Sequence, residues 1–368
     1  MNILHIAAFQ GNIGDNASHK GFEKIFESIG LAANVDRLEI RKAYNNYKGV
    51  DKLYFDQSFV DLSAKYDLII FGGGGFLDYW VEGSVNGTTI NISNEIFDRL
   101  KCKVLITSVG CNPHRTVPHE NFAKFRKFLD YLKSTDKVKV ALRNDGSNIS
   151  IERDFGPNYN EIFSNVLDNG FFYEPSSTPT LSISGNYAAI NITKDQLEMG
   201  SVDLGEKEWY FAEIERIIKH LVTQKLKIVF VPHIHDDICA ISEVISSLPS
   251  DIVRNHTVVA PCFQGDYATD FIFNIYRSSQ LTIASRYHAN VCSLVFGVPT
   301  IGLSPLQRIE FLHEQVSSTK SSFYIKPGFS EGVINCIKEK TYGTINSEAI
   351  RSLKSDTVDF YRCYFNDL

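Results

Sequence analysis

The segment Ser285-Arg286-Tyr287-His288-Ala289 sets a permanent cation two residues from a group that exchanges protons near neutral pH. It follows the apolar run Leu281–Ala284 and leads into an apolar helical stretch, so both side chains stand where a strand ends. Arg286 can fork onto a phosphate or carboxylate and His288 can act as a general acid; a structural histidine is the competing reading. Arg143, in Ala141–Ser147, occupies the same kind of position, with a surface salt bridge as its alternative. Gly11-Asn12-Ile13-Gly14-Asp15-Asn16-Ala17 joins a strand to a helix. Gly14 permits the tight turn, the helix start offers N–H groups to an anion, and Asp15 and Asn16 either meet a ligand or cap the helix. Four glycines run from Gly72 to Gly75, and Gly73, Gly74 and Gly75 let a ligand or another backbone approach closely. Asp78, just beyond, can orient a sugar hydroxyl or take its proton. His233-Ile234-His235-Asp236-Asp237 has metal-ligand types, but Ile238 and Cys239 stand where a further histidine is needed. Polar residues lining a cleft are the preferred reading there, and no metal is assigned.

These side chains need strand ends to hold them. Ile3–Ala8, Leu68–Phe71, Val104–Ser108 and Val138–Leu142 read as short buried strands, with a helix after Pro118 marked by Phe122, Phe125, Leu129 and Leu132. Glu174–Gly185 is rich in Ser, Thr, Pro and Gly and is the expected linker. The alternation then restarts with Tyr187–Ile192, Lys227–Val231, Val258–Pro261, Leu281–Ala284 and Pro299–Leu303. Trp209, Ile214, Ile217, Ile218 and Leu221 mark one helix face between them. Alternating strands and helices predict α/β domains with parallel sheets, residues 1–174 and 186–346, followed by a helix over 347–368 that packs back on the first domain. Ligands of such sheets collect at the carboxyl ends of strands, and two domains facing a cleft would gather the motifs there.

With 368 residues, 43% hydrophobic and 22% charged, the chain has the composition of a globular protein. A net charge of −6 supplies no global field for nucleic acid, so a phosphorylated ligand needs local arginines and backbone dipoles. The seven cysteines form no CxxC pair, and the first residues read as a strand and not as a secretory signal. A reducing cytoplasm is the expected setting.

Taken in order, GNIGDNA, FGGGGF, LRNDGS and SRYHANVCSLVFGVPTIGLS resemble the polysaccharide pyruvyl transferase family over about residues 3–310. The resemblance implies a GT-B-like fold of two Rossmann-like domains, phosphoenolpyruvate as donor, a pyruvate ketal on a sugar as product, and no cofactor. It associates Arg143, Arg286 and His288 with donor binding and proton transfer, and Asp15 and Asp78 with acidic positions near the glycine turns. Where the family often carries a tyrosine and a lysine, this chain has Ser304-Pro305-Leu306-Gln307-Arg308, so Arg308 is the expected replacement for the lysine. The implied acceptor is a sugar or a lipid-linked oligosaccharide of a capsular or exopolysaccharide pathway, which would bring the protein to the inner membrane face. A glycosyltransferase using a nucleotide sugar on the same architecture is the rival reading.

Overall fold

Strands such as Leu68–Gly74 and Leu281–Ala284 carry apolar residues at successive positions, so both faces need cover, and helices supply it. The computed structural model describes residues 1–113, 115–177, 181–199 and 208–368. Among these, the strands form two six-stranded parallel sheets.

The first sheet contains β1 (Asn2–Ala7), β2 (Asn34–Glu39), β3 (Leu68–Gly74), β4 (Lys103–Val109), β5 (Val138–Arg143) and β6 (Phe163–Val166). Their order is β2-β1-β3-β4-β5-β6, so the direction of winding reverses between β1 and β3. The second contains β7 (Tyr187–Asn191), β8 (Lys227–Phe230), β9 (Thr257–Val259), β10 (Leu281–Ala284), β11 (Thr300–Ser304) and β12 (Ser322–Tyr324). Its order, β12-β11-β10-β7-β8-β9, is that of a doubly wound dinucleotide fold, with the reversal between β7 and β10. Both units are thus Rossmann-like. Helix His119–Ser134 buries Phe125, Phe128, Leu129 and Leu132 in the first core, and helix Glu208–Thr223 buries Ile214, Ile217, Ile218 and Leu221 in the second.

Two compact units divide the chain. The first comprises Met1–Phe9, Phe22–Asn169 and Leu353–Leu368, and the second Gln10–Gly21 and Gly170–Ser352. The division therefore differs from a cut at a linker. Residues 178–180 of the expected linker lie outside the described residues. The chain on its near side is tied into the second unit, where Asp270 accepts from Tyr173 Oη (2.7 Å), Ser176 Oγ (2.5 Å) and Lys20 Nζ (2.9 Å). The glycine turn Gly11–Ala17, expected in the N-terminal domain, also belongs to the second unit, because Ile13 N–H donates to the carbonyl of His233 at 3.3 Å.

The last helix, Ser347–Asn366, packs its C-terminal part on the first sheet, as expected. Tyr361 is fully buried against Phe22, with its hydroxyl 2.7 Å from Thr107 Oγ1, and Thr357 Oγ1 accepts from Leu167 N–H at 2.9 Å. Tyr361→Phe keeps the ring and removes one buried hydrogen bond, so urea titration should show a loss of about 1 kcal/mol. No helix among the described residues is long and apolar enough to cross a membrane.

Candidate active site

The second unit holds the denser constellation, at the carboxyl ends of β7 and β10 where its winding reverses. Arg286 is the N-cap of helix Tyr287–Val295, and its N–H donates to Asn191 Oδ1 at the end of β7 (2.9 Å). Its guanidinium is buried between two carboxylates. Nε and Nη2 donate to Asp237 Oδ1 (3.2 and 2.5 Å), while Nη2 and Nη1 donate to Asp195 Oδ1 and Oδ2 (2.7 and 3.2 Å). Burial alone would lower the arginine's pKa, but the charges of Asp237 and Asp195 raise it above its ordinary value. Burial likewise opposes ionisation of Asp195, and the Arg286 charge outweighs it and lowers that pKa. The open fork expected of Arg286 is therefore closed on acids. With its amide oxygen turned toward the arginines, Gln196 accepts from Arg286 Nη1 (2.8 Å) and Arg308 Nη2 (2.9 Å), which brings Arg308 into the group.

His288 lies in the first turn of the same helix and is 6% exposed. Its Nδ1 is 3.8 Å from Asp15 Oδ1. Its ring lies against Gly14, where an added Cβ would fall 2.9 Å from both Cβ and Nδ1 of the histidine. Gly14 is thus required by this approach, a closer reason than turn geometry. Asn12 caps helix Ile13–Ser28, accepting from Gly14 N–H (3.0 Å) and donating to Asp15 Oδ1 (3.2 Å). The cap is therefore neither Asp15 nor Asn16. Asn16 is buried and donates to Asp266 Oδ1 at 3.0 Å, which fixes the loop. Three helices, starting at Ile13, Tyr287 and Arg308, begin within this group and contribute positive dipole ends.

The His233–Asp237 cluster splits. His233 is fully buried, with Nε2 2.9 Å from Tyr276 Oη and its N–H donating to Asp237 Oδ2 (2.9 Å). His235 and Asp236 are exposed on the first turn of helix His235–Ser247. His233 is therefore a core residue and not a cleft-lining one, because its ring packs between Phe273 and Tyr276. Asp237 serves as the counterion of Arg286.

A buried relay behind Arg286 gave no signal in the sequence. Asn290 Nδ2 donates to the carbonyls of Ala284 (2.9 Å) and Arg286 (3.0 Å), and its Oδ1 is 2.9 Å from His313 Nε2. With the amide so oriented, His313 carries its proton on Nε2 and accepts at Nδ1 from Ser321 Oγ, 2.9 Å away. Burial lowers the His313 pKa from 6.5 to about 4. The unfolded chain gains this proton near pH 6.5 and the folded chain only near pH 4, so stability is lost as pH falls through that window. His313 accounts for roughly 2–3 kcal/mol of loss between pH 7 and 4.5. Burial lowers the His233 pKa too, adding to the loss in the same direction. Urea midpoints at both pH values should show a shallower acid slope in His313→Gln.

The remaining expected residues sit in the first unit, around the ends of β3, β4 and β5. Gly73 and Gly74 have φ of 75° and 147°, conformations that disfavour a side chain. A Cβ at Gly75 would lie 2.7 Å from Asp78 Oδ2. Asp78 is buried, and its Oδ1 accepts from Asn112 N–H at 2.7 Å. Arg143 is buried as well, donating to Asp145 Oδ2 (2.7 Å) and Asp168 Oδ2 (3.3 Å). It forms neither an open fork nor a surface salt bridge but a buried ionic cluster. A Cβ on Gly110 would meet Asp145 Oδ2 at 2.6 Å and Arg143 Nη2 at 3.2 Å, so the cluster closes over that glycine.

A family model described as polysaccharide pyruvyl transferase matches residues 12–306. Among curated proteins, none matches the sequence. Among solved structures, a UDP-GlcNAc 2-epimerase from Methanocaldococcus jannaschii is similar with a TM-score of 0.55 at 11% identity, over 99% of this chain and 100% of that one. A glycosyltransferase from Rickettsia africae has a TM-score of 0.54 at 13% identity, over 98% and 92% of the two chains. At such identities the likeness concerns the fold, which is GT-B-like.

Proposed function

Because the chain belongs to the polysaccharide pyruvyl transferase family, we propose that it transfers the enolpyruvyl-derived group of phosphoenolpyruvate to a sugar of a surface polysaccharide precursor, free or lipid-linked, at the cytoplasmic side. The observation that carries this reading is the His288–Asp15 pair over Gly14, an acid and its carboxylate partner beside two arginines. His288 protonates the methylene carbon of the donor, which becomes the methyl group of the product. The neighbouring carbon becomes oxocarbenium-like and takes a sugar hydroxyl, whose proton passes to the Asp15 carboxylate. A second hydroxyl then displaces phosphate, its proton leaving with the departing phosphate, and closes the ketal.

Asp15, 3.8 Å from Nδ1, keeps the His288 ring oriented. Arg308, at the start of helix Arg308–Val316, is the arginine assigned to the donor's phosphate, helped by that helix end. Arg286 and Arg143, each closed on two carboxylates, act as fixed positive centres that position their loops.

The test is the heat-denaturation midpoint with phosphoenolpyruvate, with uridine diphosphate and without ligand. Binding to the native state alone is worth about 2.7 kcal/mol at a hundredfold excess over Kd, enough for a rise of a few degrees. A rise with phosphoenolpyruvate, reduced in Arg308→Ala, is expected. A rise with the nucleotide alone would replace this reading by glycosyl transfer.

A further inference from the structure

The first unit contains a cavity of about 430 Å³ that no step above uses, between the segment Ala43–Asn46 and the loop Trp80–Asn91. Tyr44 and Trp80 give it flat apolar walls, while Asn46, Thr89 and Glu82 supply amide, hydroxyl and carboxylate groups. Arg115 lies over the Trp80 ring, 4.5 Å from its centroid, and fixes the indole plane. We propose that this cavity is a carbohydrate site that takes a pyranose ring of the acceptor.

The argument rests on matching chemistry. A pyranose presents a face of C–H groups and a rim of hydroxyls, each both donor and acceptor. Its complement is an aromatic plane edged by side chains that donate and accept in fixed directions. The volume falls in the range of about 300–1,000 Å³ usual for small-ligand pockets. A phosphorylated ligand fits poorly, since among the described residues the lining cation is Arg115, stacked on the indole, and Glu82 would repel the anion.

The cavity is also held in shape before any ligand arrives. Asn86 is buried, donating to the carbonyls of Ile90 (2.7 Å) and Ile92 (3.2 Å) and accepting from Thr88 N–H (3.0 Å). Lys52 Nζ pins the carbonyls of Tyr44 (3.0 Å) and Asn45 (3.3 Å), and Asn45 Nδ2 joins the two walls by donating to the Glu82 carbonyl (3.1 Å). Such preorganisation lowers the entropy lost on binding. The Trp80 wall and the residue stacked on it run on from one hydrogen-bonded pair, with Trp80 two residues beyond Asp78 and Arg115 three beyond Asn112.

This inference rests on the reading that the acceptor is a sugar, and its test is independent of the donor. The chain has two tryptophans, so in Trp209→Phe the emission reports Trp80 alone. That variant would be titrated, without phosphoenolpyruvate, with the methyl glycosides of galactose, glucose, mannose and N-acetylglucosamine. A saturable change with at least one glycoside is expected, weakened about tenfold or more by the exposed substitutions Glu82→Gln or Asn46→Ala. Both variants should keep the wild-type midpoint and its rise with phosphoenolpyruvate. No emission change with any glycoside, or affinities within about twofold of each other in both variants, would overturn the site. Glycoside binding without any phosphoenolpyruvate effect would keep the site and remove the pyruvyl-transfer reading; the reverse pattern would do the opposite.

Discussion

His288→Ala should lower turnover by about 10²–10⁴, read as phosphate released from phosphoenolpyruvate in the presence of a glycoside acceptor. The size follows from the reaction, since protonating a carbon is slow unless an acid is held at it. Among the described residues nearby, Arg286 does not titrate in the working range and His233 is enclosed in the core with its pKa lowered by burial, so neither supplies that proton. The substitution removes a ring lying against Gly14 without touching the Arg286–Asp237 pair, so the melting midpoint should stay near wild type. Asp15→Asn, which keeps the hydrogen bond from Asn12 but loses the charge, should cause a smaller loss of turnover. An alanine variant retaining more than about a tenth of the activity would exclude His288 as the acid.

Asp237→Ala should cost about 3–5 kcal/mol of stability, because it strands a buried cation. Asp237 has no exposed side-chain surface, and besides Arg286 it accepts from the N–H of His233. Asp195 alone is a poor substitute, being partly open to solvent and bonded through the ends of the guanidinium only. Asp195→Ala, which leaves the buried partner in place, should cost clearly less. Paired urea titrations check both, and a loss below about 1 kcal/mol for Asp237→Ala would show that Arg286 finds its counter-charge elsewhere. Arg286→Lys should also fail to restore the wild type, since a point charge cannot serve two carboxylates through a planar fork.

Much of the fold was legible because it depends on runs of apolar residues. Leu68–Phe71, Leu281–Ala284 and Pro299–Leu303 announce buried strands, and their spacing announces helices between them. The strands that escaped, β2, β6 and β12, lie at sheet edges, where one neighbour is missing and polar residues are tolerated. Asn34–Glu39, for instance, reads NVDRLE and takes its conformation from register with β1. In the candidate site, types and strand ends pointed to His288, Arg286 and Asp15 as candidates, but their partners were not readable. Asp195, Gln196 and Asn191 come from segments nearly a hundred residues away, and only the second sheet brings them to Arg286. The opposite error, reading Arg286 and Arg143 as open anion ligands, arises because sequence shows a charge and not its neutraliser.

The glycine turn that lodges in the second unit has a consequence for inheritance. The chain changes unit four times, after Phe9, Gly21, Asn169 and Ser352, and the first two changes bracket Gly11–Ala17. A chimera made by joining the front half of one relative to the back half of another would combine an Asp15 from one parent with a His288 from the other. Drift at the turn must then be matched by drift around Arg286–Asn290, so these two distant stretches should vary together across related chains. Recombination at the middle of the gene should yield proteins that fold yet carry a mispaired acid and partner.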